Sequence, residues 1–274
     1  MTNPGRVRTS ARLRAALACA IALVFASGCA HAPRGVPSFD ALSVKHAEGR
    51  ARREAVLHAM RADVVLRLDG RATGRLPAFA ASVAIASPDR ARVEAHALLG
   101  VVLDASLRGD SVLVRLPGER SSYLVGGAGE SLGVTRPVAF VAQVFAATWR
   151  PPAAAWPLSV ADSSGCTIAW REGADSLEMA VDREGLPRVV RLERAGHVVR
   201  VRYERWEDVR GREFPTAISV RDDEGWVAAR VTVEDLRFSA RAEEDWFDWR
   251  MPSTTRVLKW SDIRESLRRE VQEP

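Results

Sequence analysis

The sequence predicts a mainly β protein with helices (α+β), built on one large curled antiparallel sheet. Three observations lead there. From residue 63 onward most of the chain alternates apolar and polar side chains with period two, as half-buried strands do. Short turn signals separate these segments, so consecutive strands pair as hairpins and the order is a meander. Two internal segments, 38–61 and 138–149, follow other rules and read as helices. A single sheet of ten or eleven strands must curl, and the two helices are available to fill its concavity.

The elements follow in order. Ser38 is placed to cap a helix running to about Arg61, with Leu42, Ala55, Val56 and Met60 among its apolar positions and Gly49 as a point where it could divide. Val64, Leu66 and Leu68 then alternate with Val65, Arg67 and Asp69. Val93, Ala95, Ala97 and Leu99 alternate with Glu94 and His96, after a turn at Ser87–Arg90. Val101, Leu103, Ala105 and Leu107 lead to the hairpin signal Arg108-Gly109-Asp110, and Val112, Val114 and Leu116 follow. Gly126-Gly127-Ala128-Gly129 opens a loop. Pro137, favourable at a first helical position, begins a run that is apolar on every side: Val138, Phe140, Val141, Val144, Phe145 and Trp149. A helix without a polar face is buried all round or covers an apolar cavity. Pro151-Pro152 stops it. Strands resume near Cys166, with turns at Arg183–Gly185, Ala195-Gly196, Asp208–Gly211 and Asp222–Gly225. The apolar phase shifts between Val233 and Leu236, which places a bulge near Glu234–Asp235. Residues 261–272 read as a short amphipathic helix carrying Ile263, Leu267 and Val271. Along the strands apolar and charged residues alternate, so one face of the sheet should meet water and the other a core or cavity.

Charge first points elsewhere. The chain of 274 residues carries 40 Lys+Arg against 35 Asp+Glu, a formal +5. Its pI near 9.7 would suit a nucleic-acid binder. However, Arg6, Arg8, Arg12 and Arg14 precede residue 29 in a stretch without acids, and removing them leaves a balance of +1. Lys45 and Lys259 are the only lysines, so the arginine excess reads as a compositional bias. A hydrophobic fraction of 47% excludes disorder of the whole chain. No apolar run reaches the roughly 18–20 residues that span a bilayer, which excludes a multi-span protein.

Those four arginines precede the apolar run 15–26 and then Ala26-Ser27-Gly28-Cys29. A basic region, a short apolar region and small residues make an export signal over residues 1–28. Its end resembles the lipobox of bacterial lipoproteins, with Ala26 where Leu is usual. The resemblance implies acylation of Cys29, which anchors a chain without a spanning helix. Ala30, where an Asp would mark inner-membrane retention in proteobacteria, implies an outer-membrane anchor facing the periplasm. Residues 29–37 form the lipidated tether, and 38–274 a single domain. With Cys29 acylated, Cys166 has no disulfide partner and reads as a buried thiol.

Certain segments carry a wider resemblance: Ala62–Leu68 after the first helix, Asp182–Arg188 between paired strands, Tyr203-Glu204 through Gly211 and Phe214-Pro215, and Phe247 through Pro252. With the acylated cysteine, tether, N-terminal helix, meander and apolar mid-chain helix, this order resembles the LolA/LolB-like lipoprotein-carrier superfamily over roughly 38–255. The resemblance implies an incomplete β-barrel of about eleven strands, closed by helices, with a hydrophobic cavity for acyl chains. Leu66, Val101, Val141, Val144 and Phe145 are the cavity-side candidates. The lipidated branch presents a protruding Leu-bearing hairpin. Ala97-Leu98-Leu99-Gly100 is the comparable segment, and Leu98 and Leu99 are either that loop or strand core.

No motif for catalysis is present: no His-Glu-x-x-His, Cys-x-x-Cys, Gly-x-Ser-x-Gly or phosphate-binding loop. His31, His46, His58, His96 and His197 are scattered, and the acidic clusters 222–224 and 243–245 lack calcium-loop spacing. No enzyme activity, cofactor or metal is expected. Trp246, Phe247, Trp249 and Trp260 gather near the end, either as a plug of the barrel mouth or as an interfacial surface. Two functions stay open. One is an anchored carrier or receptor that binds acyl chains of lipids or lipoproteins. The other is an assembly lipoprotein whose sheet edge or Trp-rich end binds an envelope protein. Nucleic acid is not an expected partner.

Overall fold

In the structure, a computed structural model, the period-two segments are strands of one open sheet. It describes residues 37–71, 74–86, 89–97, 100–109, 111–116, 121–126, 137–152, 155–157, 164–173, 175–194, 196–225, 228–239, 241–243, 246–247 and 255–259. These lie in one compact unit, Pro37–Pro274. Cys29, Leu98, Leu99, Trp249, Trp260 and the expected helix 261–272 lie outside the described residues.

Helix α1 spans Phe39–Glu54, and the Ser38 hydroxyl accepts from the Ala41 N–H at 3.2 Å, as the sequence predicts. It ends earlier than the expected Arg61. Ala55 to Ala59 form turns, and Met60 and Arg61 already belong to the first strand. Gly49 does not divide the helix; it is buried where an added Cβ would meet the Arg53 side chain at 3.4 Å.

The strands are β1 Met60–Gly70, β2 Gly74–Arg75, β3 Phe79–Ala86, β4 Arg90–Ala97, β5 Gly100–Arg108, β6 Ser111–Leu116, β7 Ser121–Gly126, β8 Trp156–Pro157, β9 Gly165–Glu172, β10 Asp175–Asp182, β11 Pro187–Arg194, β12 His197–Asp208, β13 Glu213–Asp222, β14 Ala228–Phe238 and β15 Thr255–Lys259. Helix α2, Pro137–Ala146, lies between β7 and β8. The sheet order is β15-β7-β6-β5-β4-β3-β1-β14-β13-β12-β11-β10-β9-β8, with β2 on β1. Two antiparallel meanders, β1 with β3–β7 and β9–β14, are therefore joined in the middle, where β1 pairs with β14. The ends of the order, β15 and β8, do not pair with each other, so the sheet is not closed into a barrel. The parallel β15–β7 edge was not legible in the alternation. The bulge expected near Glu234–Asp235 is present: Asp63 pairs with Asp235 and Val64 with Val233, leaving Glu234 unmatched.

Both helices join one core with the inner face of the sheet. That face carries Met60, Ala62 and Val64 of β1, Met179 and Val181 of β10, Val190 of β11, Val201 and Tyr203 of β12, and Ile218 of β13. Glycine is required at two close approaches. A Cβ at Gly165 would stand 1.9 Å from the Val181 carbonyl oxygen, and one at Gly185 would meet α1 at 2.8 Å. The turn after Asp182 thereby docks on α1, where Lys45 Nζ donates to the Arg183 carbonyl at 3.0 Å.

The expectation of one wet face holds for β11–β14 and fails for β4–β6. On β5 and β6 the outer-face residues Asp104, Ser106 and Leu113 are buried. Asp104 accepts from Arg92 at 2.8 Å and faces Arg115 at 3.1 Å, so the charge there is paired. Nearby, Trp246 stacks under Arg61 and Phe247 under Arg90, with guanidinium-to-ring distances of 5.7 and 5.1 Å. Those arginines alternate with the core residues of β1 and β4, so these two aromatics cover the outer face of the sheet.

Candidate functional site

Helix α2 is the feature the sequence marked as unusual, and its surroundings define the site. Pro137 supplies a preset φ at its start. Its C-terminus is closed by a tight reversal in which Ala147 adopts φ 50 and the Thr148 N–H donates to the Gln143 carbonyl at 3.2 Å. Trp149 therefore lies past the helix, shorter than the expected 138–149.

A helix end leaves carbonyls without partners, and burial makes that costly. Here α1 and β12 supply the donors. Arg53 Nη2 donates to the Ala147 carbonyl at 3.1 Å, and Nη1 reaches the Glu213 carbonyl at 3.5 Å. Tyr203 donates to the Gln143 carbonyl at 3.3 Å and accepts from Trp149 Nε1 at 2.6 Å. His46 sits between two carbonyls, Nε2 at 3.0 Å from Trp149 and Nδ1 at 3.2 Å from Gly185. A neutral ring has one N–H and can donate to only one of them. A cation beside a helix C-terminus is also favourable to the helix dipole.

Burial governs the charges of this clamp. Arg53 is 1% exposed, and desolvation lowers its pKa to about 10, which keeps it charged at neutral pH. Its guanidinium also lies 5.2 Å from the Trp206 ring. Desolvation lowers the pKa of His46 too, outweighing the two carbonyls that favour its cation, and Arg53 and Arg50 add to the lowering. Burial raises the pKa of Tyr203, so it stays a neutral donor. Leu42, His46, Gly49 and Arg53 recur at helical spacing and make up the buried stripe of α1. That stripe was the available signal for the clamp. Charge and the glycine hid it, because the sequence reading sought apolar residues.

Along its length α2 is half-open on one side. Val138, Ala142 and Val144 are buried, while Phe140, Val141 and Phe145 are half-buried. The helix packs over β4, β5 and β13. On the same core the first meander contributes half-buried apolar residues from successive strands: Leu66, Phe79, Val93, Leu103 and Val112. Together these residues form an apolar strip that reaches solvent.

Of the cavity-side candidates, Leu66, Val141 and Phe145 belong to this strip and Val144 lies in the core beneath it. Val101 is not brought to them. A register shift after Ala95 pairs Leu103 with Ala95 but Val101 with His96, which sets Val101 opposite a polar residue of the outer row. Phe79, Val93, Leu103 and Val112 are strip residues the sequence reading did not select, although their alternation was visible.

Two clefts flank other parts of the molecule, and both are polar. One of about 300 Å³ is lined by Gly49, Arg53, Trp206 and Glu213 beside the clamp. The other, about 490 Å³, lies between Asp69–Arg71 and the turn 221–225. Among the described residues no three His, Cys, Asp or Glu side chains gather as a metal site, and no helix is long and apolar enough to cross a membrane.

No family model matches the chain, and no curated protein matches it. Solved structures do. The chain is similar in fold to a LolA superfamily protein from Nitrosomonas europaea, with 12% identity and a TM-score of 0.48, over 74% of this chain and 97% of that one. It is similar to a putative outer membrane lipoprotein-sorting protein domain from Vibrio parahaemolyticus, with 10% identity and a TM-score of 0.42, over 75% and 95%. The lipoprotein LppX of Mycobacterium tuberculosis is also similar, with 13% identity and a TM-score of 0.33, over 77% and 100%.

Proposed function

We propose that this protein is a non-catalytic envelope lipoprotein, anchored through acylated Cys29 to the periplasmic face of the outer membrane, that binds acyl chains of lipids or lipoproteins along α2. The observation that carries the reading is the half-open apolar strip. Phe140, Val141 and Phe145 face solvent in part, and so do Leu66, Phe79 and Leu103 on the inner face of the first meander. Partly exposed apolar strips of this kind mark binding surfaces. An acyl chain laid there gains about 25 cal/mol for each Å² of apolar surface removed from water. The clamp holds one end of α2 while the helix bears no charged residue that would oppose an apolar ligand. The Ala26-Ser27-Gly28-Cys29 end of the export signal supports the anchor.

The test uses the mature chain 29–274 with Cys29→Ser, purified without detergent. Organic extracts should contain lipid by mass spectrometry, and a fluorescent fatty acid should bind. Phe145→Glu should weaken that binding at least tenfold. Extracts free of lipid, together with no fatty-acid binding, would overturn the reading.

A further inference from the structure

The outer face of the second meander carries a grid of arginines that the acyl-binding strip does not use. Arg191, Arg200 and Arg221 stand directly opposite one another on β11, β12 and β13. In the next row Arg202 faces Ser219, Ser219 faces Arg230, and Arg230 faces Arg67 across β12, β13, β14 and β1. The five neighbouring strands span about 20 Å. All six side chains alternate with core residues, so they share the outer face.

Two of the six are neutralised: Arg191 by Glu193 at 2.7 Å and Arg230 by Glu204 at 3.4 Å. Arg67, Arg200, Arg202 and Arg221 are exposed and carry no ion pair among the described residues. Within the grid the acids Glu178, Glu193 and Glu204 serve Arg191 and Arg230, and at the rim Asp223 accepts from the Val198 N–H and Glu224 faces His197. Like charges directly opposite in a sheet are destabilising, and this face repeats the arrangement at Arg191–Arg200, Arg200–Arg221 and Arg67–Arg230. Any polar residue would serve a solvated face. An external layer of anions turns the repulsion into attraction, and guanidinium suits phosphate.

We propose that this arginine face docks on the anionic phospholipid headgroups of the membrane that holds the protein. The choice of a membrane over other polyanions rests on the proposed acylation of Cys29. The eight residues 30–37 then keep the domain within about 26 Å of the headgroups when fully extended. Docking would hold the outer face on the membrane and leave the apolar strip turned away from it, since the two lie on opposite faces of the sheet.

The experiment is co-sedimentation of the mature chain 29–274 with Cys29→Ser, free of the basic signal, with vesicles of phosphatidylethanolamine and phosphatidylglycerol, against neutral phosphatidylcholine. This chain has no acyl group, so its result does not depend on the anchor, which the mass of the membrane-extracted wild-type N-terminal peptide reports separately. Binding should require the anionic lipid and weaken between 50 and 200 mM salt, on the order expected for arginines at a charged surface. Arg200→Glu with Arg221→Glu, and separately Arg67→Glu with Arg202→Glu, should each raise the apparent Kd at least tenfold. Arg108→Glu with Arg210→Glu changes the charge equally elsewhere and should stay within twofold. Arg200→Thr should weaken vesicle binding without lowering the thermal unfolding midpoint. Reversed pairs that bind like the control pair would overturn the proposal. So would absent vesicle binding by a folded chain, or a chain that binds a DNA duplex and not anionic vesicles.

Discussion

The two halves of the sheet bury their inner faces differently. Under α1, which packs on β9, β10 and β13, the centre of the inner face is sealed, with Ile168, Met179, Val190, Val201 and Ile218 each 1% exposed or less, while Val199 and Val220 are half-buried. Helix α2 shares β13 with α1 and also covers β4 and β5, where Ala91 and Ala95 are buried but the larger Val93 and Leu103 stay half-buried, as do Leu66 and Phe79. The lesson is that the apolar helix leaves more of the sheet open than the charged one. Helix α1 buries His46 and Arg53 by giving each a backbone partner, and half-buried Arg50 pairs with Glu54. Helix α2 has apolar residues on all sides, and a sheet can cover only one of them.

This contrast can be broken in four places. Met179→Ala, in the sealed half, should cost about 2–5 kcal/mol by chemical denaturation, because a completely buried thioether leaves a cavity. A loss below about 1 kcal/mol would mean that half is less tightly packed than its burial indicates. Arg53→Met keeps most of the volume and removes the donors to Ala147 and Glu213. It should cost about 2 kcal/mol and speed hydrogen exchange of the amides in 138–147. Unchanged exchange there would remove the clamp. Phe145→Ser, on the strip, should cost about 1 kcal/mol or less while weakening fatty-acid binding, so that stability and binding separate. Equal losses in both would make the strip ordinary core.

The smallest effect is in pH. Burial lowers the pKa of His46 below its unfolded value, so the unfolded chain binds the proton more tightly. Its contribution to stability is complete above about pH 6.5 and falls away as the pH drops through that value toward the folded pKa. His46→Gln should flatten the dependence of unfolding midpoint on pH between 7 and 5. A variant with the same slope as the wild type would show that other groups set it.

Much of this architecture was legible in the chain. Alternation marked the strands of both meanders, and the change of phase at Glu234 gave the bulge to the residue. Strand β3 was missed because Phe-Ala-Ala-Ser-Val-Ala-Ile-Ala has small apolar residues on both faces and therefore no alternation. The reason lies at its outer face, where Ala84 is buried between Arg61 and Arg92 on the neighbouring strands. The register shift that moved Val101 away from the strip lay at the edge of a segment that alternates without fault, so pattern alone placed it with Leu103.

The sequence by itself determined which residues are apolar, where the chain turns, and that one helix had no polar face. Local spacing suffices for these because period and turn chemistry act over a few residues. Tertiary structure alone decided which apolar residues remain half-open, that Arg53, His46 and Tyr203 converge on the end of α2, and that arginines from separate strands share one row. Those properties depend on contacts between distant segments, such as Arg53 and Glu213, 160 residues apart. Burial and register across the sheet, which no local pattern contains, set their energies.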